Sequence, residues 1–541
     1  MAIQFTEKQT RVLEARDHNI LVSAAAGSGK TAVLVERIVR MISEGERPLD
    51  IDRLLVVTFT RAAAAQMRER IARAVSDRLR ADPSNAHLRR QETLIHNAQI
   101  TTIDSFCSYL LRNNFSEIDL DPDFRVMDQT ESELMSADVL DSFLEECYQQ
   151  ADPAFLECAA YFCPGSDDRG LQKMIADLYT MSSSRPQPEF WLKQRREDYH
   201  VESKEEIFTS LWLQTGILQT LEQLEDMDRQ YSDMLEICGE PDGPEGYAAL
   251  LTLEQDSLFG KLRQEPVLSI RQGHRGSLLQ LAGSLDAEQA KAVWDLISGL
   301  RGASFGRLPA LGKKRYPNVS ESKKNRVKDR RAAIKTKIAS ICGKYSESSA
   351  DLVFHTMRAA DGPLRELVDL TLAYAERYRQ AKREKNLLDF PDLEHYALQV
   401  LLEFHEDGTC TPRPAAMEYR RHFAEILIDE YQDSNDVQEL LLRTISTEDE
   451  GRNNRFMVGD VKQSIYKFRL ARPEIFMEKF DTYRPFDPAT ERIDLDQNFR
   501  SRRQVLDSVN DVFERIMRRE IGGVQYDDTV SLKLGASYPE A

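Results

Sequence analysis

The sequence predicts an α/β protein in which a parallel sheet is interrupted by a long helical insertion. Short apolar runs alternate with helical patterns over residues 1–110, and this alternation is typical of βαβ units with parallel strands. From about 115 to 385 charged helical patterns dominate, and strand-like runs almost disappear. Two more short apolar runs, 424–428 and 455–458, restore the α/β pattern after the insertion.

The elements of the first part follow from their periodicity. Apolar residues recur at helical spacing over 7–15, 30–43 and 61–79, so we expect helices there. Continuous apolar runs at 19–23 and 54–58 have the length of buried strands. Parallel strands that are covered on both faces produce such runs.

The length, net charge and composition of the chain exclude several classes of protein. The chain has 541 residues, which is too long for one hydrophobic core. Its formal net charge of −18 disfavours a protein that coats nucleic acid through overall charge. It has no apolar run of about 18 residues and no basic, apolar leader, so we expect a cytoplasmic protein without a membrane span. The cysteines lack zinc-ligand spacing.

A phosphate-binding loop follows the first predicted strand. Glycines let backbone N–H groups turn inward around phosphates, and the positive end of the next helix adds to that field. Lys30 would reach the β- and γ-phosphates, and the Thr31 hydroxyl would bind Mg²⁺. Ala24 stands where the usual pattern begins with glycine. The expected nucleotide-binding residues are Ala24, Ala25, Ala26, Gly27, Ser28, Gly29, Lys30 and Thr31.

Two acids follow the predicted strand at 424–428. Ligands in open α/β sheets bind at the carboxyl ends of strands, so Asp429 could hold Mg²⁺ while Glu430 activates the attacking water. The alternative is that both acids are solvated and merely open a loop. Because the stretch between Lys30 and Asp429 exceeds an ordinary domain, an inserted domain must separate the two halves of this site.

Further segments identify a family by their content and order. The segments, in chain order, are FTEKQ (5–9), TFTRAAA (58–64), ITTIDSFC (100–107), DEYQD (429–433), GDVKQSIYKFR (459–469) and DQNFRS (496–501). With the phosphate loop, they resemble the motifs of the UvrD/RecB group of superfamily 1 DNA helicases. Within that group, residues 119–122, 124–125 and 388–393 resemble the A subunits of bacterial AddAB helicase–nucleases.

The resemblance implies a RecA-like P-loop NTPase fold with a second RecA-like domain. It places the first motor domain at 1–114 and 386–482, the helical inserted domain at 115–385, and the beginning of the second motor domain at 483–541. It also implies that the chain ends before the late helicase motifs and the nuclease domain. We therefore expect the chain to bind nucleotide without unwinding or cutting DNA, and to be least stable from about Tyr483 onward.

The resemblance also assigns roles in ATP hydrolysis, with ATP and Mg²⁺ as cofactors. Gln9 would read adenine, Phe499 would stack on it, Gln463 would sense the γ-phosphate, and Arg500 would stabilise transition-state charge. For Gln9 the alternative is a surface residue without a role, and for Gln463 it is a turn residue that caps a helix. Phe499 stands where many relatives have Tyr.

A second set of residues is expected to contact DNA. Aromatic faces stack on any base, which suits a translocase that tolerates all sequences. Phe468 has core packing as its alternative, Phe106 is expected in the core, and Asp104 stands where many relatives carry His. The expected DNA contacts are Phe59, Thr60, Arg61, Thr102, Ser105, Tyr466, Phe468 and Arg469.

A basic run between 313 and 337 lies in the predicted insertion. Such residues could neutralise the phosphates of duplex DNA, or they could form a solvated helix face. The run contains Lys313, Lys314, Arg315, Lys323, Lys324, Arg326, Lys328, Arg330, Arg331, Lys335 and Lys337.

The function implied by the resemblance is ATP-driven 3′→5′ translocation on DNA during double-strand-break processing and recombinational repair. Single- and double-stranded DNA and an AddB-like second subunit are the implied partners. Two alternatives are a P-loop ATPase that acts on protein, and a chain that binds ATP and DNA without productive turnover. The aromatic segment 459–469 and the segments 58–64 and 100–107 disfavour the protein-directed ATPase.

Overall fold

The structure, a computed structural model, forms two compact units. Unit 1 comprises Met1–Asp152, Gly165–Lys193 and Val368–Ala541, and unit 2 comprises Pro153–Pro164 and Gln194–Leu367. The residues described are 5–165, 167–263, 267, 270, 278–302, 304–312, 316–466, 470–517, 526–528 and 530–536.

A six-stranded parallel sheet lies at the centre of unit 1. The strands occur in the spatial order β6-β1-β5-β4-β2-β3, so all their carboxyl ends meet at one edge. In chain order they are β1 (Asn19–Ala24), β2 (Leu54–Thr58), β3 (Gln99–Thr102), β4 (Glu425–Ile428), β5 (Arg455–Gly459) and β6 (Thr490–Leu495).

Both faces of this sheet are buried. Ile20 and Val22 pack in the core on one face, while the intervening Leu21 packs on the other face with Leu55 and Met457. This alternation follows from the two-residue period of a strand. Helices therefore cover the sheet on both sides, as parallel sheets require.

Helices and short strands complete unit 1. Its helices are Glu7–Glu14, Lys30–Met41, Arg61–Ala81, Ala86–Leu94, Ile103–Asn114, Gln129–Gln150, Arg169–Ser183, Phe390–Leu401, Pro414–His422, Asp436–Thr444, Pro473–Thr482 and Arg503–Ile516. Its short strand pairs are Arg125–Val126 with Leu387–Leu388, Leu402–Phe404 with Cys410–Pro412, and Gln497–Asn498 with Lys533–Leu534.

The α/β class predicted from the sequence is confirmed, and the predicted helices and strands of the first part are present. The helix expected over 61–79, for example, spans Arg61–Ala81. One strand has an unexpected partner: β6 lies beyond the predicted domain boundary at 483, yet it pairs with β1 in the same sheet. The domain boundaries themselves stay a prediction.

All the regular secondary structure in the described part of unit 2 is helical. Its core includes Leu221, Tyr231, Phe259, Trp294 and Ile338. Its helices are Pro153–Phe162, Leu211–Gly239, Ala248–Phe259, Leu278–Ser284, Ala287–Gly299 and Glu321–Lys344. Two further helices cross a unit boundary along the chain, Pro188–Arg195 and Glu347–Glu384. Across the described ranges, no helix is long and apolar enough to span a membrane.

Candidate ATP site and DNA-contact surface

The phosphate loop joins β1 to the helix Lys30–Met41 at the carboxyl edge of the sheet. Gly27 and Gly29 have φ angles of +71° and +84°, a left-handed conformation that glycine adopts at low cost. Gly29 is the N-cap of the helix and provides no side-chain hydrogen bond. The amides of the first helical turn are therefore uncapped by a side chain, which is the arrangement that binds phosphate.

The structure brings the two predicted halves of the site together. Lys30 Nζ lies 3.3 Å from Glu430 Oε2, although the two residues are 400 positions apart. The backbone of Asp429 is fixed because its N–H donates to Val57 O at 2.9 Å across the sheet. Glu430 has a φ of +53°, which is uncommon for a residue with a Cβ and marks a constrained turn.

Asp429 is held in a low-dielectric position. Burial, helped by the negative charge of Glu430 and opposed by Lys30, raises the pKa of Asp429 to about 6. A buried carboxylate beside a second carboxylate is stabilised by a cation. The Ser28 hydroxyl is also buried without a hydrogen-bond partner among the described residues. These residues fit a Mg²⁺–nucleotide, with Thr31 and Asp429 as the predicted Mg²⁺ ligands.

Two segments from opposite ends of the chain brace the phosphate loop. Gln9 Nε2 donates to Ser28 O at 3.0 Å, and its Oε1 accepts the Thr6 N–H at 3.0 Å. The role of Gln9 in adenine reading stays a prediction, since its amide is engaged in this structure. Asn498 Nδ2 donates to Ala26 O at 2.7 Å.

Asn498 is a site residue that sequence reasoning missed. Its Oδ1 accepts the N–H groups of Arg500 and Ser501, and the N–H of Phe499 donates to Gly27 O at 2.9 Å. A Cβ placed on Gly27 would lie 2.7 Å from Asn498 Nδ2, so only glycine leaves room there. A signal was present in the sequence, because Asn498 directly precedes Phe499 and Arg500, the two residues of the 496–501 segment that were assigned roles.

Within the described residues, the remaining predicted catalytic side chains form no hydrogen bond to the Glu430 carboxylate. Gln463 Nε2 donates to Asp460 Oδ2 at 2.8 Å, whereas Arg500 is exposed. Their contacts with a γ-phosphate stay predictions.

The predicted DNA contacts are partly brought together. The rings of Phe59 and Tyr466 are in contact, with their centroids 4.5 Å apart and their planes tilted by 35°. Phe59 follows β2, so this aromatic pair lies at the same sheet edge as Asp429, which follows the neighbouring strand β4. Phe468 and Arg469 lie outside the described residues.

Other predicted DNA contacts form hydrogen bonds within the fold at the beginnings of helices. Thr60 caps the helix that begins at Arg61 by accepting the Ala63 N–H at 3.1 Å. Thr102 is 6% exposed, and its hydroxyl lies 2.9 Å from Ser105 Oγ at the start of the next helix. These roles are those of helix caps, so DNA contact by these residues stays a prediction. Phe106 is fully buried, as predicted.

These motifs and this geometry have counterparts in known proteins. The model of the UvrD/REP helicase N-terminal domain matches residues 5–265 and 276–484, which is most of the chain. The chain belongs to the UvrD/REP helicase family.

Curated relatives of this UvrD/REP family chain are named alike, each as the A subunit of an ATP-dependent helicase/nuclease. The protein from Lachnoclostridium phytofermentans is 42% identical over 540 residues, which cover 99% of this chain and 37% of that protein. The protein from Acetivibrio thermocellus is 40% identical over 99% of this chain and 41% of its own length. The protein from Clostridium perfringens strain 13 is 40% identical over 100% of this chain and 40% of its own length. The chain thus spans about two fifths of these relatives.

Two acidic residues, Asp104 of the UvrD/REP segment 100–107 and Glu394, affect each other electrostatically. Glu394 is almost fully buried, and it accepts hydrogen bonds from Gln438 Nε2 at 2.7 Å and Asn435 Nδ2 at 3.4 Å. Burial, helped by the negative charge of Asp104, raises the pKa of Glu394 to about 7. Burial also raises the pKa of Asp104 to about 6, against the opposing charge of Arg61.

Glu394→Gln is expected to weaken the pH dependence of stability. The folded pKa of Glu394 is above its ordinary value of 4.5. The folded state therefore keeps a proton that the unfolded state loses, and the free energy of unfolding falls as the pH rises between these two values. The fall amounts to at most about 3 kcal/mol. Urea unfolding at about pH 5 and about pH 8 should show a smaller fall in the variant; equal falls would contradict the prediction.

Part of the basic run is paired with acidic residues within unit 2. Lys323 pairs with Glu240 and Asp242, and Lys324 pairs with Glu321 at 2.8 Å. Their charges are partly neutralised by these acidic partners, so they would attract DNA phosphates less strongly. Lys313, Lys314 and Arg315 lie outside the described residues.

Two arginines of the run have the same internal role. Arg331 Nε donates to the buried Glu254 at 2.8 Å, and Arg330 lies 3.4 Å from Asp233. Reversing the charges of such paired residues would therefore damage unit 2 itself. Within the described part of the chain, Arg326, Lys328 and Lys337 are exposed and form no ion pair.

These three exposed residues provide a cleaner test of duplex binding. The variant Arg326→Glu, Lys328→Glu, Lys337→Glu is expected to weaken duplex binding and to reduce its salt slope by at most about three. ATP hydrolysis without DNA should not change, because the ATP site is built from unit 1 residues. Binding isotherms over a salt series measure the slope, and a slope equal to the parent's would support a solvated face.

Proposed function

We propose that this chain is the N-terminal part of the ATP-hydrolysing motor of a helicase/nuclease A subunit. In this proposal the motor translocates 3′→5′ on single-stranded DNA and serves double-strand-break processing and recombinational repair in the cytoplasm. The names of the curated relatives support the helicase and nuclease classes. The polarity and the repair role rest on the resemblance of the motifs.

The observation that carries the proposal is the position of the two sites on one sheet edge. The phosphate loop follows β1 and Asp429 follows β4, while Phe59 directly follows β2 and packs against Tyr466 on the turn beyond β5. Because β5 is hydrogen-bonded to β1 and β4, and β4 to β2, a change around the γ-phosphate needs to travel only a few residues to reach the aromatic pair. A motor requires this proximity.

The chemistry follows from the charges at this edge. Lys30 and the loop amides would bind the phosphates, while Thr31 and Asp429 would hold Mg²⁺, which neutralises the charge of the transferring phosphoryl group. Glu430 would orient and deprotonate the attacking water. Phe499 and Arg500 would complete the site from the second motor domain, so hydrolysis would require closure onto the phosphate loop.

The proposal includes the domain organisation and the partners. The first motor domain comprises 1–114 and 386–482, the insertion 115–385, and the second motor domain begins at 483. Single- and double-stranded DNA are the substrates, and an AddB-like second subunit is the protein partner, in keeping with the naming of the relatives as A subunits.

DNA-stimulated ATP hydrolysis tests the proposal directly. The full-length protein, meaning one of the relatives' length that contains this chain, should hydrolyse ATP faster when single-stranded DNA is added. It should displace strands from duplexes with a 3′ tail but not from those with a 5′ tail. Binding of ATP and DNA without stimulated hydrolysis would instead support a non-motor role. Stimulation by protein rather than DNA would overturn the proposal.

A further inference from the structure

Gln432 is almost fully buried, and both the nitrogen and the oxygen of its side-chain amide form hydrogen bonds. Its Nε2 donates to Glu430 Oε2 at 2.9 Å and to Asp433 Oδ2 at 3.1 Å. Its Oε1 accepts the backbone N–H of Asp460 at 2.9 Å. The amide therefore joins the carboxylate that follows β4 to the turn that follows β5.

The neighbouring strand fixes the position of this amide. A Cβ placed on Gly459, the last residue of β5, would lie 2.4 Å from Gln432 Oε1 and 3.2 Å from Gln432 N. Only glycine leaves enough space for the side chain to pass. Gln432 is thus held by the two central strands and has no room to exchange its partners freely.

The turn beyond Asp460 leads to the aromatic pair. Asp460 Oδ2 accepts from Gln463 Nε2 at 2.8 Å, and its Oδ1 accepts the Lys462 N–H at 3.2 Å. The turn reaches Tyr466, whose ring packs against that of Phe59. Hydrogen bonds therefore run from the Glu430 carboxylate through Gln432 and Asp460 to Gln463. The backbone of residues 463–466 then leads to the aromatic pair.

We propose that Gln432 is a positioning residue that aims the Glu430 carboxylate at the attacking water and couples it to the turn 460–466. Within the described residues, the hydrogen bonds to that carboxylate come from Lys30 and Gln432. When Lys30 turns to the phosphates, Gln432 is the donor that keeps Glu430 in place. DNA bound at the aromatic pair acts on Glu430 through this amide. The inference rests on the proposed function.

The chain offers a matched control for Gln432. Gln91 is fully buried, its Oε1 accepts the Ile51 N–H at 2.8 Å, and its Nε2 donates to Asp50 Oδ1 at 2.7 Å. It has the same pattern of bonds, one to a backbone N–H and one to a carboxylate. Ile51 precedes β2, so this glutamine lies at the amino edge of the sheet, opposite the ATP site.

The experiment compares Gln432→Met with Gln91→Met in the full-length protein. Gln432→Met should lower the kcat of DNA-stimulated hydrolysis about 10–100-fold, with KM for ATP within about twofold and with less stimulation by DNA. Gln432→Glu should also lose turnover, because it keeps the acceptor for Asp460 but cannot donate to Glu430. Gln91→Met should lose a similar amount of stability yet keep kcat and stimulation.

The possible failures are distinguishable. Parent-like kcat and stimulation in Gln432→Met would overturn the inference alone, and so would a loss no larger than that of Gln91→Met at equal folded concentration. A parent protein without DNA-stimulated hydrolysis would overturn the proposed function, and the inference with it. A loss confined to Gln432→Met and Gln432→Glu supports the inference.

Discussion

Replacing Lys30 by alanine is expected to reduce ATP hydrolysis by at least about 10²-fold. Lys30 is the cation of the phosphate loop, and its ammonium lies 3.3 Å from Glu430 at the point where the β- and γ-phosphates would bind. Without it, the charge that develops in the transition state loses a fixed counter-charge. Release of inorganic phosphate with saturating single-stranded DNA measures the effect.

Lys173→Ala is the control for this experiment. Lys173 is exposed on the helix Arg169–Ser183 of unit 1, so its loss removes a lysine without touching the sheet edge. Its hydrolysis rate should match the parent's. Unchanged DNA-stimulated hydrolysis in Lys30→Ala would show that nucleotide is hydrolysed at another site.

Glu430→Gln is expected to separate binding from turnover. The substitution keeps the shape of the side chain but removes the base, so hydrolysis should fall about 10²–10⁴-fold. Nucleotide affinity should be kept, because Lys30 and the loop amides are unchanged and one negative charge near the phosphates is lost. A fluorescent ATP analogue measures affinity, and phosphate release measures turnover.

Glu418→Gln provides the matched control. Glu418 is an exposed glutamate on the helix Pro414–His422, and the same change there should leave both measurements at the parent's values. Normal turnover in Glu430→Gln would mean that another group activates water. Gln463 would then be the next candidate, since it lies on the adjacent turn.

Many secondary-structure elements of this protein could be predicted from short-range sequence patterns. The strands β1 and β2, the glycine loop, and the helix that begins at Lys30 all follow from residues within a few positions of each other. Local sterics and hydrophobic periodicity decide such features, and they hardly depend on the rest of the chain. The α/β class and the family could therefore be predicted from the sequence.

The DNA-contact surface could be predicted from the sequence only in part. The sequence indicated Phe59 and Tyr466 separately, and the fold places their rings 4.5 Å apart. It could not show that Thr102 is a buried helix cap, because a threonine before a helix has the same local pattern whether it faces solvent or the core.

The sequence by itself determined where the strands, helices and glycine turns lie, and which residue types carry the chemistry. Tertiary structure alone decided their pairing: Lys323 with Asp242, Asn498 with Ala26, Gln432 with Asp460. The physical reason is that a hydrogen bond or an ion pair acts only over a few ångströms. Which residues come that close depends on strand order and register, and these are set by the burial of the whole sheet rather than by any local segment.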